Sequence, residues 1–218
     1  MKSKQLRFAD LVERVRHCAL CPRMAQRTRV LGPPNGNLDS SVVFIAEAPG
    51  RLGADKFGIP LFGDQTGRNF EWLISRAGIN REAIFITNAV LCNPRAADGK
   101  NGSPTTTEIR NCSIYLEETL NIIGPRYVVA LGKAALTALR AIHPLELELR
   151  ESVGQLFPWN GCQVYPLYHP GPRAFVWRPK SRQAKDYELL GHLLVEAQVP
   201  SPLSSNIWEK HGRIHKTD

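Results

Sequence analysis

The sequence lacks any long apolar run. None of its stretches approaches the roughly 18 consecutive apolar residues that a membrane-spanning helix needs, so a membrane protein is not expected. The first 17 residues contain five Lys or Arg, two acidic residues and no continuous apolar segment of the kind found in secretory signals. We therefore expect a globular protein in a reducing compartment, the cytoplasm.

The number of cysteines, five, is odd. In a chain with no expected export signal, this argues against a disulfide framework and favours metal ligation, buried thiols or catalysis. Cys18 and Cys21 form a C-x2-C pair, and Cys92 and Cys112 follow with 19 residues between them. Two close and two distant thiols can close a site for zinc or a [4Fe–4S] cluster, the alternative being four buried structural thiols. Cys162 has no near partner in the sequence and is expected to take no part.

The positive charge is concentrated in two segments. The chain carries a net charge of +8, and residues 1–29 alone hold eight Lys or Arg against two acids. A second basic run extends from Arg173 to Lys185, with no acidic residue before Asp186. Two separated basic segments are typical of a protein that binds a polyanion, most often nucleic acid. The alternative is a generic solubilising surface.

Short apolar runs alternate with helical patterns along the chain. The apolar runs predict four strands, at residues 41–47, 83–90, 127–131 and 163–168, and a capping box formed by Thr105 and Glu108 marks the start of one of the helices between them. This alternation is typical of a parallel sheet with helices on both faces. We predict an α/β fold, a three-layer α/β/α sandwich around a mostly parallel four-stranded sheet. It forms a single domain over residues 1–199, with a tail over residues 200–218.

Polar residues close three of the predicted strands. Glu47, Asn88 and His169 each follow an apolar run. Ligands of such sheets bind outside the carboxyl ends of the strands, so we expect the three side chains to share one crevice. A carboxylate, an amide and an imidazole offer complementary acid–base and hydrogen-bonding chemistry. Each residue also has an ordinary structural explanation: Glu47 as a turn cap, Asn88 as a turn or ladder residue and His169 as a loop histidine. The convergence of all three at one sheet edge is what indicates a site.

Several motifs resemble those of a known family. They are Glu47-Ala-Pro-Gly50, Gly58-Ile-Pro-Leu-Phe-Gly63, Ile86-Thr-Asn-Ala-Val-Leu-Cys-Asn-Pro94, Val129-Ala-Leu-Gly132 and Tyr168-His-Pro170. In order and spacing the chain, from about residue 18 to 190, resembles the iron–sulfur uracil-DNA glycosylases. The resemblance is mixed, because the first motif looks like family four and Phe62-Gly-Asp-Gln-Thr-Gly67 looks more like family five.

The resemblance implies roles for individual residues. The four cysteines at positions 18, 21, 92 and 112 would hold a [4Fe–4S] cluster. Glu47 would act on water or on the sugar cation, Asn88 would read the pyrimidine edge, and His169 would stabilise the departing base. The aromatic that stacks on the base would be Leu61 or Phe62, and we favour Phe62 because a flipped base needs a π-face. The residues that flank Glu47 complete the substrate-binding set, Ala46 and Ala48.

The expected partner is DNA, single- or double-stranded, with a damaged base. We expect a monomer, associated with the nucleoid, that breaks an N-glycosidic bond without a lysine nucleophile. The basic run after His169 would bind phosphates through Arg173, Arg178 and Lys180, and Phe175, Val176 or Trp177 would fill the space left by the flipped nucleotide. The long loop at residues 97–103, with Lys100, is a further candidate for contact with DNA.

One departure from the family-four pattern concerns specificity. An acidic pair that helps to exclude a 5-methyl group is replaced here by Arg51-Leu-Gly-Ala-Asp55. Glycosylases for hypoxanthine or xanthine therefore stay open as alternatives, motivated by Gly53. So does, from a different class, a non-catalytic protein that binds damaged DNA and uses the cluster as a structural element. A third and less favoured alternative is a zinc-stapled nucleotide-binding protein.

Overall fold

The computed structural model describes residues 2–196, and the predicted tail at 200–218 lies outside them. Five strands form one sheet in the order β2-β1-β3-β5-β4. They are β1 (Val42–Ala46), β2 (Phe85–Asn88), β3 (Tyr127–Leu131), β4 (Phe157–Trp159) and β5 (Cys162–Leu167). The first four strands in the sheet order are parallel, and β4 is antiparallel to β5. The prediction of a mostly parallel α/β sheet is confirmed.

The predicted number of strands, four, was wrong. The missed strand is β4, which is only three residues long and contains Pro158 at the sheet edge. Proline cannot donate to a strand ladder and is confined to edges, so a short run that contains it gives no strand signal. The two-residue turn that joins β4 to β5 has positive φ at Asn160 (41°) and Gly161 (79°). This Asn-Gly pair is a strong hairpin signal that sequence analysis overlooked.

Seven α-helices surround the sheet within the described residues. They are α1 (Lys4–Arg16), α2 (Ala54–Phe57), α3 (Gln65–Arg76), α4 (Thr106–Ile123), α5 (Lys133–Ile142), α6 (Leu149–Ser152) and α7 (Lys180–Glu196). The predicted capping box begins α4: the Thr105 hydroxyl accepts from the Glu108 N–H, and the Glu108 carboxylate accepts from the Thr105 N–H. None of these helices is both long and apolar enough to cross a membrane.

Two apolar cores cover the two faces of the sheet. One face is packed by α1, α4 and α5, and the other by α3 and α7. The central strands β1 and β3 are buried along their whole length. This arrangement confirms the three-layer sandwich. Because β2, β1, β3 and β5 are parallel, their carboxyl ends meet at one edge of the sheet, where the candidate site lies.

Candidate active site and cysteine cluster

Glu47 and Asn88 are neighbours at the carboxyl edge of the sheet. The register of β1 and β2 pairs Ala46 with Asn88. The ladder continues beyond the strands, since the Ala89 N–H donates to the Ala46 carbonyl (2.8 Å) and the Val90 N–H to the Glu47 carbonyl (3.2 Å). The backbone that carries both side chains is therefore fixed by the sheet.

Asn88 is buried, with 2% of its surface exposed. Its Nδ2 has no hydrogen-bond partner within residues 2–196. A buried amide donor without a partner costs about 1–3 kcal/mol and is rare in folded proteins. A ligand that accepts a hydrogen bond from this nitrogen would remove the cost, so Asn88 is a candidate ligand-binding residue.

The Glu47 carboxylate is half-buried beside the same strand end. Burial raises the pKa of Glu47, whereas a hydrogen bond from the Ser103 side chain and the positive charge of Arg173 both act to lower that pKa. The carboxylate therefore faces one neutral donor and one cation. A half-buried carboxylate of this kind is suited to stabilising positive charge or to holding a water molecule.

His169 follows β5, at the same edge. Desolvation lowers the pKa of His169 from 6.5 to about 4, although the negative charge of Asp64 acts in the opposite direction. The Gly171 N–H donates to Nδ1 of His169 (3.1 Å), so the neutral ring carries its proton on Nε2. The adjacent loop is held by Asn69, whose Nδ2 donates to the Pro170 carbonyl (2.8 Å). The result is a neutral, oriented hydrogen-bond donor.

The two candidate stacking residues differ in exposure. Leu61 is 7% exposed, belongs to the core beneath α3 and α7, and has a positive φ of 48°. Phe62 is 43% exposed, and its ring lies edge-on to that of Phe57, with centroids 5.8 Å apart. A Cβ on Gly67 would lie 2.7 Å from the Leu61 carbonyl oxygen, so this loop packs directly on α3. Phe62 is therefore the more exposed of the two and carries an aromatic ring, whereas Leu61 is part of the core.

The alanines that flank Glu47 also lie at this edge. Ala46 is fully buried in β1, and Ala48 is half-buried against the core. Neither side chain extends beyond Cβ.

The candidate DNA-binding residues fall into different environments. Arg173 is exposed, and Phe175 is half-buried. Arg178 is bound by both carboxylate oxygens of the buried Asp186, each at 2.5 Å. The Lys180 Nζ lies 4.2 Å from the centroid of the Trp72 ring. Within residues 2–196 the Arg173 guanidinium makes no hydrogen bond, although its charge acts on Glu47, while Arg178 holds the turn to α7.

Two apolar side chains beside this basic run are strongly exposed. Val176 is 80% exposed and Trp177 is 81% exposed, on the 3₁₀ turn Pro172–Val176 and directly after it. Large apolar groups exposed to this degree near a site point to a contact surface.

Sequence reasoning missed two groups that act on the site. Asp64, which caps α3 by accepting from the Gly67 N–H (2.9 Å), places its charge near His169. Ser103 belongs to the long loop that the sequence suggested for DNA contact. The available signal for Asp64 was its position before the helix that starts at residue 65, whereas the sequence gives no signal for Ser103.

The loop of residues 93–104 folds back over the turn after β1. Arg95 and Asn101 form an antiparallel bridge, which makes the segment between them a small hairpin. The Asn101 Oδ1 accepts from the Arg51 N–H (2.9 Å) and from Asn93 Nδ2 (3.0 Å). Asn93 Nδ2 also donates to the Pro49 carbonyl (2.5 Å). These contacts fasten the loop to the turn that carries Glu47.

Asp55 comes directly after Gly53 and Ala54, the two positions that hold the acidic pair in the family-four pattern. It is 9% exposed, accepts from the Thr28 N–H (3.3 Å) and pairs with Arg95 (3.2 Å). The Asp55 carboxylate is therefore already paired with groups of the fold. A Cβ on Gly53 would lie 2.5 Å from the Phe62 carbonyl oxygen and 2.7 Å from the Asp64 carboxylate, so the missing side chain leaves no open space there.

Four cysteines line one small cavity between the end of α1, the turn after β2 and α4. The cavity is lined by Cys18, Leu20, Cys21, Met24, Cys92, Asn111 and Cys112. Cys162 lies elsewhere and donates to the Trp159 carbonyl (3.1 Å). Within residues 2–196, no group of three or more His, Cys, Asp or Glu is arranged to hold a single metal ion.

The chemistry of this cavity suits a soft cationic group. Burial raises the pKa of Cys92 to about 11 and that of Cys112 to about 12, and the neighbouring thiols add to both shifts. The sulfurs also accept hydrogen bonds, from the Leu91 N–H at Cys112 (3.3 Å) and from Asn111 Nδ2 at Cys21 (3.7 Å). Clustered thiols of this kind become thiolates when a metal centre binds them, so the residues fit an iron–sulfur centre.

Comparison with known proteins agrees with this geometry. A family model described as "Uracil DNA glycosylase superfamily" matches residues 33–190. The type-4 uracil-DNA glycosylase of Thermotoga maritima is 33% identical over 174 residues, which cover 79% of this chain and 84% of the relative. The type-4 enzyme of Archaeoglobus fulgidus is 30% identical over 196 residues (87% and 94%), and the type-5 enzyme of Pyrobaculum aerophilum is 29% identical over 193 residues (76% and 83%). The chain therefore belongs to the uracil-DNA glycosylase superfamily.

Proposed function

We propose that this protein is a monofunctional DNA glycosylase of base excision repair. It flips a deaminated base, uracil, out of DNA and hydrolyses the N-glycosidic bond, leaving an abasic site. The observation that carries the proposal is the buried Asn88 amide, whose Nδ2 lacks a partner in the described chain at the edge shared with Glu47 and His169. The type-4 and type-5 names of the relatives support uracil as the substrate. The protein acts as a monomer on nucleoid DNA in the cytoplasm.

Asn88 supplies base recognition in this proposal. Its Nδ2 donates to O4 of uracil and its Oδ1 accepts from N3–H. Cytosine presents the opposite pattern of donor and acceptor, which leaves the buried amide unpaired. A site built on such hydrogen bonds rejects the mismatched edge by orders of magnitude.

Bond cleavage requires that negative charge on the base and positive charge on the sugar are both stabilised. His169 donates from Nε2 to the oxygen of the departing base, and its lowered pKa keeps it neutral while it does so. Glu47 stabilises the sugar cation or holds the attacking water. Phe62 stacks on the flipped base, and the small side chains of Ala46 and Ala48 leave room beside Glu47.

DNA is held by the segment that follows His169. Arg173 binds a phosphate next to the site, and Lys180 adds charge at the start of α7. Phe175, with the exposed Val176 and Trp177 beside it, enters the space left by the flipped nucleotide. Arg178 contributes to this surface by holding the turn in place through Asp186.

We assign the cofactor as a [4Fe–4S] cluster held by Cys18, Cys21, Cys92 and Cys112, with zinc as the less favoured occupant. When bound, the cluster would join through these cysteines segments that are distant in the sequence. The chain itself supplies the sulfurs and the N–H donors that orient them. The hydrolysis is carried out by the residues at the sheet edge.

A lesion panel tests the proposal. Labelled oligonucleotides, each with one uracil, hypoxanthine, xanthine or thymine, are incubated with the protein in single- and double-stranded form, and alkali reveals abasic sites. We expect cleavage at uracil. Cleavage at hypoxanthine alone would overturn the substrate assignment, and a covalent adduct trapped with borohydride would overturn the monofunctional assignment.

Two variants separate a catalyst from a passive binder of damaged DNA. Asn88→Ala and His169→Ala should reduce excision by at least about 100-fold, the scale expected for loss of one preorganised hydrogen bond in a site. DNA affinity should stay within a few-fold of wild type. Binding of uracil-containing DNA without turnover by the wild-type protein would favour the passive binder.

A further inference from the structure

Arg23 lies two residues after Cys21 and joins three segments of the chain. Its Nε and Nη2 donate to the two oxygens of Glu108, at 2.9 and 2.6 Å. Nη2 also donates to the Ser103 carbonyl (3.3 Å), and Nη1 donates to the Arg95 carbonyl (3.4 Å). One guanidinium thus connects the C-x2-C segment, the start of α4 and both ends of the hairpin at residues 95–103.

The anchor of this arrangement is Glu108. It is 8% exposed and is held from its other side by the capping box with Thr105. The Arg23 guanidinium is the main reason that the pKa of Glu108 is lowered. A buried carboxylate that is paired in this way fixes the position of the guanidinium, because neither partner can move without leaving a buried charge unpaired.

The other end of the connection is the Glu47 carboxylate. The Ser103 side chain lies beside Glu47 and acts to lower the pKa of that carboxylate, while the Ser103 carbonyl is held by Arg23. The hairpin is also bound to the turn after Glu47, because the Asn101 Oδ1 accepts from the Arg51 N–H (2.9 Å). The hairpin neck is tight, since the Gly102 N–H donates to the Pro94 carbonyl (2.6 Å) and a Cβ on Gly102 would lie 2.8 Å from the same oxygen. The hydroxyl donor thus sits on a backbone that Arg23 and the neck hold in place.

We propose that Arg23 and Ser103 are positioning residues for the Glu47 carboxylate, so that the cysteine segment and the active site form one hydrogen-bonded unit. The inference rests on the role of Glu47 in the proposed function. A half-buried carboxylate such as that of Glu47 has few hydrogen-bond donors around it. A change in the position of Ser103 would remove one of these donors. Ordering of the C-x2-C segment, through Arg23, therefore orders the catalytic carboxylate.

The test uses Ser103→Ala, Ser103→Thr and Arg23→Lys in the full chain, with kcat and KM for a uracil-containing duplex measured against pH. Ser103→Ala should move the acid limb of kcat to higher pH and leave KM unchanged, because the carboxylate without its donor binds a proton more tightly. Ser103→Thr keeps the hydroxyl and should restore the wild-type profile. Arg173, the cation that acts on Glu47 from the turn after His169, is retained in every variant.

Arg23→Lys should move the acid limb in the same direction, because a lysine cannot hold Glu108 and the Ser103 carbonyl at once. The double variant should shift no further than Ser103→Ala alone, since both changes remove the same donor. Matched controls are Ser113→Ala, whose hydroxyl donates within α4, and Arg76→Lys, whose guanidinium pairs with Glu188 across α3 and α7. An unchanged acid limb in Ser103→Ala, or additive shifts in the double variant, would overturn the proposal.

A second readout does not depend on activity. Loss of the Arg23 contacts should loosen the hairpin, so trypsin should cleave after Arg95 or Lys100 faster in Arg23→Lys than in wild type and Arg76→Lys. Equal cleavage rates would contradict the role of Arg23. A wild-type protein that fails to excise uracil would refute the proposed function, whereas the cleavage comparison would still report on the connection made by Arg23.

Discussion

The Gly171 N–H donates a hydrogen bond to Nδ1 of His169 over 3.1 Å. This contact leaves the ring proton on Nε2, where it can be donated to a ligand. A Cβ on Gly171 would lie 2.9 Å from Nδ1, so the close approach depends on glycine at this position. The tautomer of the histidine is set by the backbone of its own loop.

The first prediction concerns the protonation of His169. Because desolvation lowers its pKa to about 4, the ring should be neutral above about pH 5 and should gain a proton only below that range. The rate of excision should therefore show no inflection near pH 6.5 that is due to this residue. NMR of 15N-labelled histidine against pH measures the titration directly. An imidazole signal that titrates between pH 6 and 7 and is absent in His169→Gln would contradict the prediction.

The second prediction separates activity from stability at Asn88. Its Nδ2 makes no hydrogen bond within residues 2–196, so Asn88→Ala should leave the free energy of unfolding within about 1 kcal/mol of wild type. The same change should lower kcat/KM for uracil by at least about 100-fold. Urea titration and single-turnover excision measure the two effects.

The matched control for Asn88 is another buried asparagine. Asn93 donates from Nδ2 to the Pro49 carbonyl and to Asn101. Asn93→Ala should lower the free energy of unfolding by about 1–3 kcal/mol, because it leaves buried acceptors unpaired. Equal destabilisation by the two changes would show that Asn88 has a structural partner.

The third prediction distinguishes the cysteines. Cys112 lines the cavity shared with Cys18, Cys21 and Cys92, whereas Cys162 lies beside Trp159. Cys112→Ser should reduce iron content and visible absorbance and lower the midpoint of thermal unfolding, since a structural metal centre contributes to folding. Cys162→Ser should retain the iron. Loss of iron from both variants, or from neither, would contradict the assignment of ligands.

The fourth prediction contrasts two arginines of the basic run. Arg173→Gln should weaken binding to undamaged duplex DNA and reduce the slope of log K against log salt by about 1, as expected for the loss of one phosphate contact. Arg178→Gln should leave that slope unchanged and lower the free energy of unfolding by about 3 kcal/mol, because the buried Asp186 loses its partner. Fluorescence anisotropy over a range of salt concentrations and chemical denaturation measure the two effects. A reduced salt slope in Arg178→Gln would mean that Arg178 also binds phosphate.

Local patterns predicted most of the architecture. The Thr105–Glu108 capping box and the apolar runs of β1, β2, β3 and β5 depend on residues close in the sequence, and each was found where expected. The same patterns placed Glu47, Asn88 and His169 at strand ends, and parallel strands bring such ends together. The sequence did not predict β4, because three residues that include a proline carry no periodic signal.

By itself, the sequence determined the chain order of β1, β2, β3 and β5, the polar residues at the strand ends and the four candidate cysteine ligands, because these follow from hydrophobic periodicity and short motifs. Only the tertiary structure decided the environment of each group. It bound Arg178 to Asp186, brought the charge of Asp64 close to His169, and joined Arg23 to the carbonyl of Ser103, 80 residues away in the chain. Burial and charge at a site depend on segments that meet only after folding, so no local pattern predicts them.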